Sequence, residues 1–199
     1  MDNEIDKIKK HLDSLTKNTI FNFEEHTYKV KGVFYKSVSE TIVDYSRGID
    51  RVPKKIMEEA RERGNYVHEF MEQFLKEHNG IANKKVQKYV KRDYYEDYLI
   101  NGIKYIEKQF SSNWNILSVE QILYNVPNRV CGTADLIMYR IKGNNLELKI
   151  IDWKTGTIKL ANHIQIEIYK RLLEHSINRF RIENLIIKTE LVSLKPAYL

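Results

Sequence analysis

Three carboxylates, a lysine and a histidine stand at spacings that a fold could turn into one reactive centre. Gly132-Thr133-Ala134-Asp135 ends on a carboxylate, and Ile151-Asp152-Trp153-Lys154-Thr155-Gly156 sets a second carboxylate two residues before a lysine. Glu120 stands upstream on a separate apolar stretch. Carboxylates brought into contact repel, and they do not all stay ionised without a cation beside them. Oxygen donors favour hard cations, Mg²⁺ or Mn²⁺. The alternative is a charge cluster neutralised by Lys154 or by arginines, with no chemistry attached.

The turns decide between scattered and aligned carboxylates. Gly143-Asn144 suits a two-residue hairpin loop, with glycine where φ > 0 is needed. Lys142 then pairs with Asn145, and Ile141, Tyr139 and Ile137 face Leu146, Leu148 and Ile150. Asp135 comes to face Asp152, with Lys154 on the same side. The other side pairs Arg140 with Glu147 and Met138 with Lys149, giving one apolar and one charged face. Val126-Pro127-Asn128-Arg129 carries proline at a turn position. If Val126 pairs with Arg129, Glu120 faces Asp135, and the three carboxylates form a row. A longer loop or a bulge would shift that row.

The strands involved, 116–126, 129–141 and 146–154, are rich in β-branched and aromatic residues. Helical spacing at 161–175 and a last strand at 184–195 follow. A helix between strands suits a crossover, so a mixed sheet covered by helices is expected. Upstream, Ile5, Ile8, Leu12 and Leu15 predict an amphipathic helix over 4–17. Phe21 to Tyr35 alternates and breaks at Gly32, as one or two hairpins do. Ser37 or Ser39, followed by Glu40, starts a short helix reaching Tyr45. Pro53 precedes a long helix from Lys54 to His78. Gly64 interrupts that helix at a cost of about 1 kcal/mol relative to alanine, which suggests a close backbone approach. A second helix is expected from Ala82 to Phe110. It carries Lys88 and Arg92 among other lysines and tyrosines. It is either a surface where phosphates rest and bases stack, or a solvated face over an aromatic core stripe.

Length and composition set the frame. The chain has 199 residues, enough for one domain with a true core. No apolar run reaches the ~20 residues of a membrane span, and the charged N-terminus is unlike a signal peptide. A single cysteine, Cys131, excludes an internal disulfide and an all-cysteine metal or iron–sulfur site. An intracellular, cytoplasmic protein is expected. The net charge of +6 fits a nucleic-acid partner but does not by itself establish one.

Together these residues resemble the PD-(D/E)XK nuclease superfamily, and within it the RecB-like exonuclease branch. Asp135 matches its strand-borne aspartate, and Asp152 with Lys154 its Asp-x-Lys motif. Arg63-Gly64-Asn65-Tyr66-Val67-His68 matches the branch's helical histidine, and Gln165 to Tyr169 its glutamine–tyrosine helix. Glu120 falls where the branch has an acidic residue. His26-Thr27-Tyr28 to Ser37-Val38 looks like the opening segment of phage-encoded members. Two features depart from the pattern: Ala134 stands where the superfamily's name has proline, and the iron–sulfur cysteines of some relatives are missing.

The resemblance implies a restriction-endonuclease-like α/β core in the order α-β-β-β-α-β. Residues 1–199 would form a single domain, with a helix and hairpin segment over 1–50 and the nuclease core over 53–195. It implies His68, Asp135, Asp152 and the Trp153 carbonyl as ligands of one or two Mg²⁺ or Mn²⁺ ions, and no iron–sulfur cluster. Lys154 would orient or deprotonate water, or stabilise the pentavalent phosphate. Glu120 would take a second metal or hold a metal-bound water. Gln165 and Tyr169 share a helix face and would contact DNA or support the lysine; core packing is the alternative for Tyr169. The expected activity is a metal-dependent deoxyribonuclease on single- or double-stranded DNA, an exonuclease in replication, recombination or repair, acting in the host cytoplasm if phage-encoded. A structure-specific or single-strand endonuclease and a non-catalytic nucleic-acid-binding member are the alternatives. Oligomeric state and a replication or recombination partner protein stay open.

Overall fold

In the computed structural model, residues 2–22, 25, 27–45, 53–78 and 95–197 are described. The chain runs α1 (Asp2–Lys17), β1 (Thr19–Asn22), β2 (Thr27–Val30), β3 (Val33–Ser37), α2 (Val38–Thr41) and a 3₁₀ turn (Val43–Tyr45). It continues with α3 (Lys54–His78), α4 (Glu96–Ser111), β4 (Asn115–Asn125), β5 (Val130–Lys142), β6 (Asn145–Lys154), α5 (Leu160–Ile177) and β7 (Leu185–Ser193). This is a mixed α/β fold with a central mixed sheet flanked by helices, as the sequence predicts.

Local chemistry accounts for several boundaries. Ser37 caps α2 through a reciprocal box: its hydroxyl accepts from the Glu40 amide at 3.1 Å, and its own amide donates to the Glu40 carboxylate at 2.6 Å. Gly143 turns the β5–β6 hairpin with φ of +59°, and Lys142 pairs with Asn145 as the turn demands. The ladder then follows the expected register through Ile141/Leu146, Tyr139/Leu148 and Ile137/Ile150 to Leu136/Ile151. The β4–β5 hairpin also takes the expected register near the site, where Gln121 pairs with Ala134 and Val119 with Leu136. A bulge near Leu117 shifts it farther along.

Two aspects go beyond the sequence reading. Arg140 and Glu147 pair as expected, at 2.7 Å, and their side of the hairpin is buried. Glu147 and Lys149 are 4% and 8% exposed. Lys149 Nζ donates to Gln109 of α4 at 2.8 Å and sits 4.5 Å from the centre of the Trp114 ring. A sheet covered on both sides buries its charged row under a helix, and paired partners make that tolerable. Second, α4 is described from Glu96 onward; Lys88 and Arg92, with the basic stretch proposed around them, lie outside the described residues.

The core has two main layers. Ile5, Ile8, Leu12 and Leu15 of α1 join α5 residues such as Leu172 and Leu173 against Ile137, Leu148 and Ile150. Across the sheet, Val67, Met71 and Leu75 of α3 and Leu99 and Ile106 of α4 pack on Leu136, Met138, Ile151 and Trp153. Strand β5 does one further thing that positions the site. One edge pairs with β4 from Val130 to Tyr139. The other pairs in parallel with β3 at Val130 and Cys131, and with β6 only from Leu136 onward. Residues 132–135 lie in the fork where the sheet divides. Among the described residues no helix is long and apolar enough to cross a membrane.

Candidate functional site

Asp135 sits at the crotch of this fork. The β5–β6 ladder stops at Leu136/Ile151, and one step further the Asp135 side chain replaces the missing strand: its Oδ2 accepts the Trp153 amide at 2.7 Å. The bond fixes the carboxylate and ties it to the Asp-x-Lys strand. Its other oxygen, Oδ1, lies 3.5 Å from His68 Nδ1. His68 comes from α3, whose apolar stripe docks on the sheet and leaves the imidazole 32% exposed in the cleft.

Glu120 completes the group. Its φ is +49°, in the left-handed region that a non-glycine residue rarely adopts, between two neighbours that pair normally with β5. Such strain costs on the order of 1–3 kcal/mol and persists only where surroundings enforce it. Gln121, 1% exposed, supplies the enforcement. Its side-chain amide donates to the Leu12 carbonyl at 3.0 Å and to Thr16 Oγ1 at 3.1 Å, and its carbonyl accepts from Ser118 at 2.6 Å. Helix α1 therefore anchors the strand at the residue after Glu120. One ligand atom each from His68, Glu120 and Asp135 all lie within 4.8 Å of one another.

Asp152 stands beside this group with a different partner. Its Oδ2 is buried and finds no hydrogen bond of good geometry, although Lys154 Nζ lies 2.5 Å away as an ion pair. Lys154 also donates to Gln165 Oε1 at 3.1 Å, and Gln165 Nε2 donates to the Tyr169 hydroxyl at 3.3 Å. The α5 residues expected to share a face do so, and they hold the lysine. The Trp153 ring points to the opposite layer, edge-on to Tyr105.

The electrostatics are those of an overcrowded anionic site. Burial raises the Glu120 carboxyl, with help from Asp135, to about 8. Burial, again reinforced by Asp135, raises Asp152 to about 6. Asp135 goes the other way: burial opposes ionisation, but His68, Lys154 and the Trp153 amide outweigh it and hold the group below its usual range. Burial alone would lower His68, but Asp135, Glu120 and Asp152 overcome this and hold it up at about 9. The cluster keeps charge where a cation could replace the protons. The two close carboxylates Glu120 and Asp135 and the His68 imidazole, with the Asp152 carboxylate beside them, form a donor set that fits a hard divalent cation.

Several residues around the site were not singled out from the sequence. Glu72 is one helical turn after His68 and lines the same cleft as Glu120; the i, i+4 spacing on α3 was the available signal. Gln121 shows only as a polar residue in an apolar strand. Phe21, Tyr28 and Thr133 also line the cleft; Tyr28 and Thr133 lie in segments that carry the family resemblance, but their sequence assigns them no role of their own.

No curated protein and no solved structure matches the chain. A family model does match, over residues 43–191, which include His68, Glu120, Asp135, Asp152, Lys154, Gln165 and Tyr169. The chain belongs to the PD-(D/E)XK nuclease superfamily.

Proposed function

We propose that the protein is a metal-dependent deoxyribonuclease of the RecB-like branch, an exonuclease serving DNA replication, recombination or repair. The observation that carries this reading is the convergence of His68, Glu120 and Asp135 within 4.8 Å, beside the Asp152–Lys154–Gln165 chain. Superfamily membership supports nucleic acid as the substrate, and the net charge of +6 suits a polyanion.

His68, Glu120, Asp135 and Asp152, with the Trp153 carbonyl, would hold Mg²⁺ or Mn²⁺. When bound, such an ion polarises a phosphoryl oxygen and lowers the pKa of water. The chain's own residues do the rest. Asp135 is fixed by the Trp153 amide, so it needs little reorganisation to serve as a ligand. Lys154 brings a positive charge to the edge of the cluster, where charge develops on an attacked phosphate. Gln165 fixes the lysine's direction, and Tyr169 fixes the glutamine. This preorganisation favours the transition state over the ground state.

The mode of cleavage is tested with DNA labelled at either end and with a covalently closed circle, both in Mg²⁺. Mononucleotide release from one end, with the circle left intact, is the expected result. Cutting of the closed circle would overturn the exonuclease reading in favour of an endonuclease.

A further inference from the structure

Glu120 and Asp135 line a cavity of about 460 Å³. Among the described residues its lining carries no lysine or arginine, which a groove for a duplex backbone would have. Its apolar part is built from Phe21 and Tyr28 of the N-terminal hairpin, Ile122 of β4 and Val38 of α2. Phe21 and Tyr28 face each other across β1 and β2, stacked with centroids 4.6 Å apart and planes 29° apart. Tyr28 is held from behind, its hydroxyl 3.0 Å from Thr133 Oγ1, so the aromatic wall is fixed to the strand that carries Asp135. Gly132 lets that wall close. A Cβ there would lie 2.7 Å from Val38 Cγ2 and 2.8 Å from Tyr169 Cε1.

The volume suits a small ligand, and the lining is of two kinds, aromatic and aliphatic side chains together with carboxylates. A nucleotide also has two parts, a flat apolar base joined to a phosphate. In a duplex the base is paired and stacked inside the helix and cannot reach such a wall. Aromatic side chains are the usual platform for bases of single strands, and they act without reading sequence.

We propose that this cavity is a base-binding subsite, in which the base next to the scissile phosphate stacks on the Phe21–Tyr28 wall, so that the enzyme acts on an unpaired nucleotide. The proposal rests on the reading of the neighbouring carboxylates as a nuclease centre. The substrate class is therefore single-stranded DNA, or a duplex end with a frayed or overhanging nucleotide. The N-terminal hairpin is then the part of the chain that selects the substrate.

The test uses the full chain and a single-stranded oligonucleotide with 2-aminopurine at its end, titrated in EDTA so that binding is read without cleavage. Stacking on the wall quenches or shifts the fluorescence, and binding weakens when the terminal base is replaced by an abasic site. Phe21→Leu keeps apolar bulk and removes the aromatic face. It is expected to weaken binding of the base-bearing oligonucleotide by about 5- to 100-fold, the usual worth of one stacked base, and to leave abasic binding unchanged. Phe21→Trp, checked for folding by thermal melting, retains discrimination. In Mg²⁺, the wild type should cut the single strand faster than a blunt duplex of the same sequence. Equal affinity for base-bearing and abasic ends, with no effect of Phe21→Leu, overturns the subsite. Absence of cleavage in Mg²⁺ or Mn²⁺ with base-dependent binding intact overturns the nuclease reading and leaves the subsite standing.

Discussion

Gly132 ties the stability of the core to the geometry of the proposed catalytic lysine, and Gly132→Ala separates a packing role from a catalytic one. The added methyl would meet Val38 Cγ2 at 2.7 Å, Tyr169 Cε1 at 2.8 Å and Val38 Cβ at 3.2 Å. The first two distances are shorter than a carbon–carbon contact tolerates. Val38 is 1% and Tyr169 5% exposed, so neither can swing into solvent. Overpacking of this kind costs roughly 1–3 kcal/mol, which for a chain of this size lowers Tm by about 3–10 °C. The displaced Tyr169 ring loses its 3.3 Å bond to Gln165, and Gln165 in turn loosens its 3.1 Å hold on Lys154. With the lysine less ordered, kcat is expected to fall about tenfold while KM stays nearly constant, equivalent to one hydrogen bond lost mainly in the transition state. Thermal melting and steady-state cleavage of labelled DNA provide both readouts. Val38→Ala, which removes one of the clashing groups, should recover part of the lost stability when combined with Gly132→Ala. Gly156→Ala is the control, because a Cβ there meets none of the described residues within 4 Å. The reasoning fails if Gly132→Ala melts like the wild type, or if Val38→Ala merely adds its own loss.

Other residues make separate predictions. Gly64 lies inside α3, where among the described residues a Cβ would reach only Thr155 Oγ1 at an ordinary 3.8 Å, so none of them makes a close backbone approach that requires glycine. Gly64→Ala should therefore raise Tm by about 1–4 °C, from about 0.5–1 kcal/mol of recovered helix propensity; an unchanged or lower Tm refutes it. Burial would raise the Glu147 carboxyl, but Lys188 at 2.9 Å and Arg140 at 2.7 Å prevail and hold it below its ordinary 4.5. A carboxylate whose folded pKa is depressed stabilises the fold fully above its unfolded pKa, and loses that contribution as pH falls through the folded value. The urea midpoint difference between wild type and Glu147→Gln should be constant from pH 8 to about 5 and shrink below that; a difference independent of pH contradicts the pairing. Gln165→Ala should lower kcat with little change in KM or Tm, and a pure KM effect would make Gln165 a binding residue instead.

Much of the site was legible because strand register follows from local chemistry. Gly143-Asn144 fixed the β5–β6 pairing, and the alternation of apolar residues fixed which carboxylates share a side. Ser37 with Glu40 and Pro53 marked helix starts for the same local reason. The fork in the sheet was not legible. It arises from two parallel pairs between β3 and β5, contacts distant in sequence and without a motif. The left-handed Glu120 was equally hidden, because the restraint comes from Gln121 reaching across to α1. The buried Glu147 and Lys149 show the limit of strand alternation: it says which residues share a face, and only the packing of α4 says whether that face is wet. The aromatic wall had no chemical signature, since Phe21 and Tyr28 are ordinary strand residues until the fold places them beside Asp135.

The central claim is that His68, Glu120, Asp135, Asp152 and Lys154 form one metal-dependent hydrolytic centre. Cleavage of end-labelled single-stranded DNA is the direct measurement, run in Mg²⁺, Mn²⁺ or EDTA with wild type, Asp135→Asn, Asp152→Asn and Lys154→Met. Thermal melting confirms that each variant is folded. The account predicts cleavage by the wild type only with the divalent ion, and a loss of at least about a thousandfold in kcat for each variant. Cleavage that persists in EDTA, or that survives Asp152→Asn and Lys154→Met in folded protein, would contradict it.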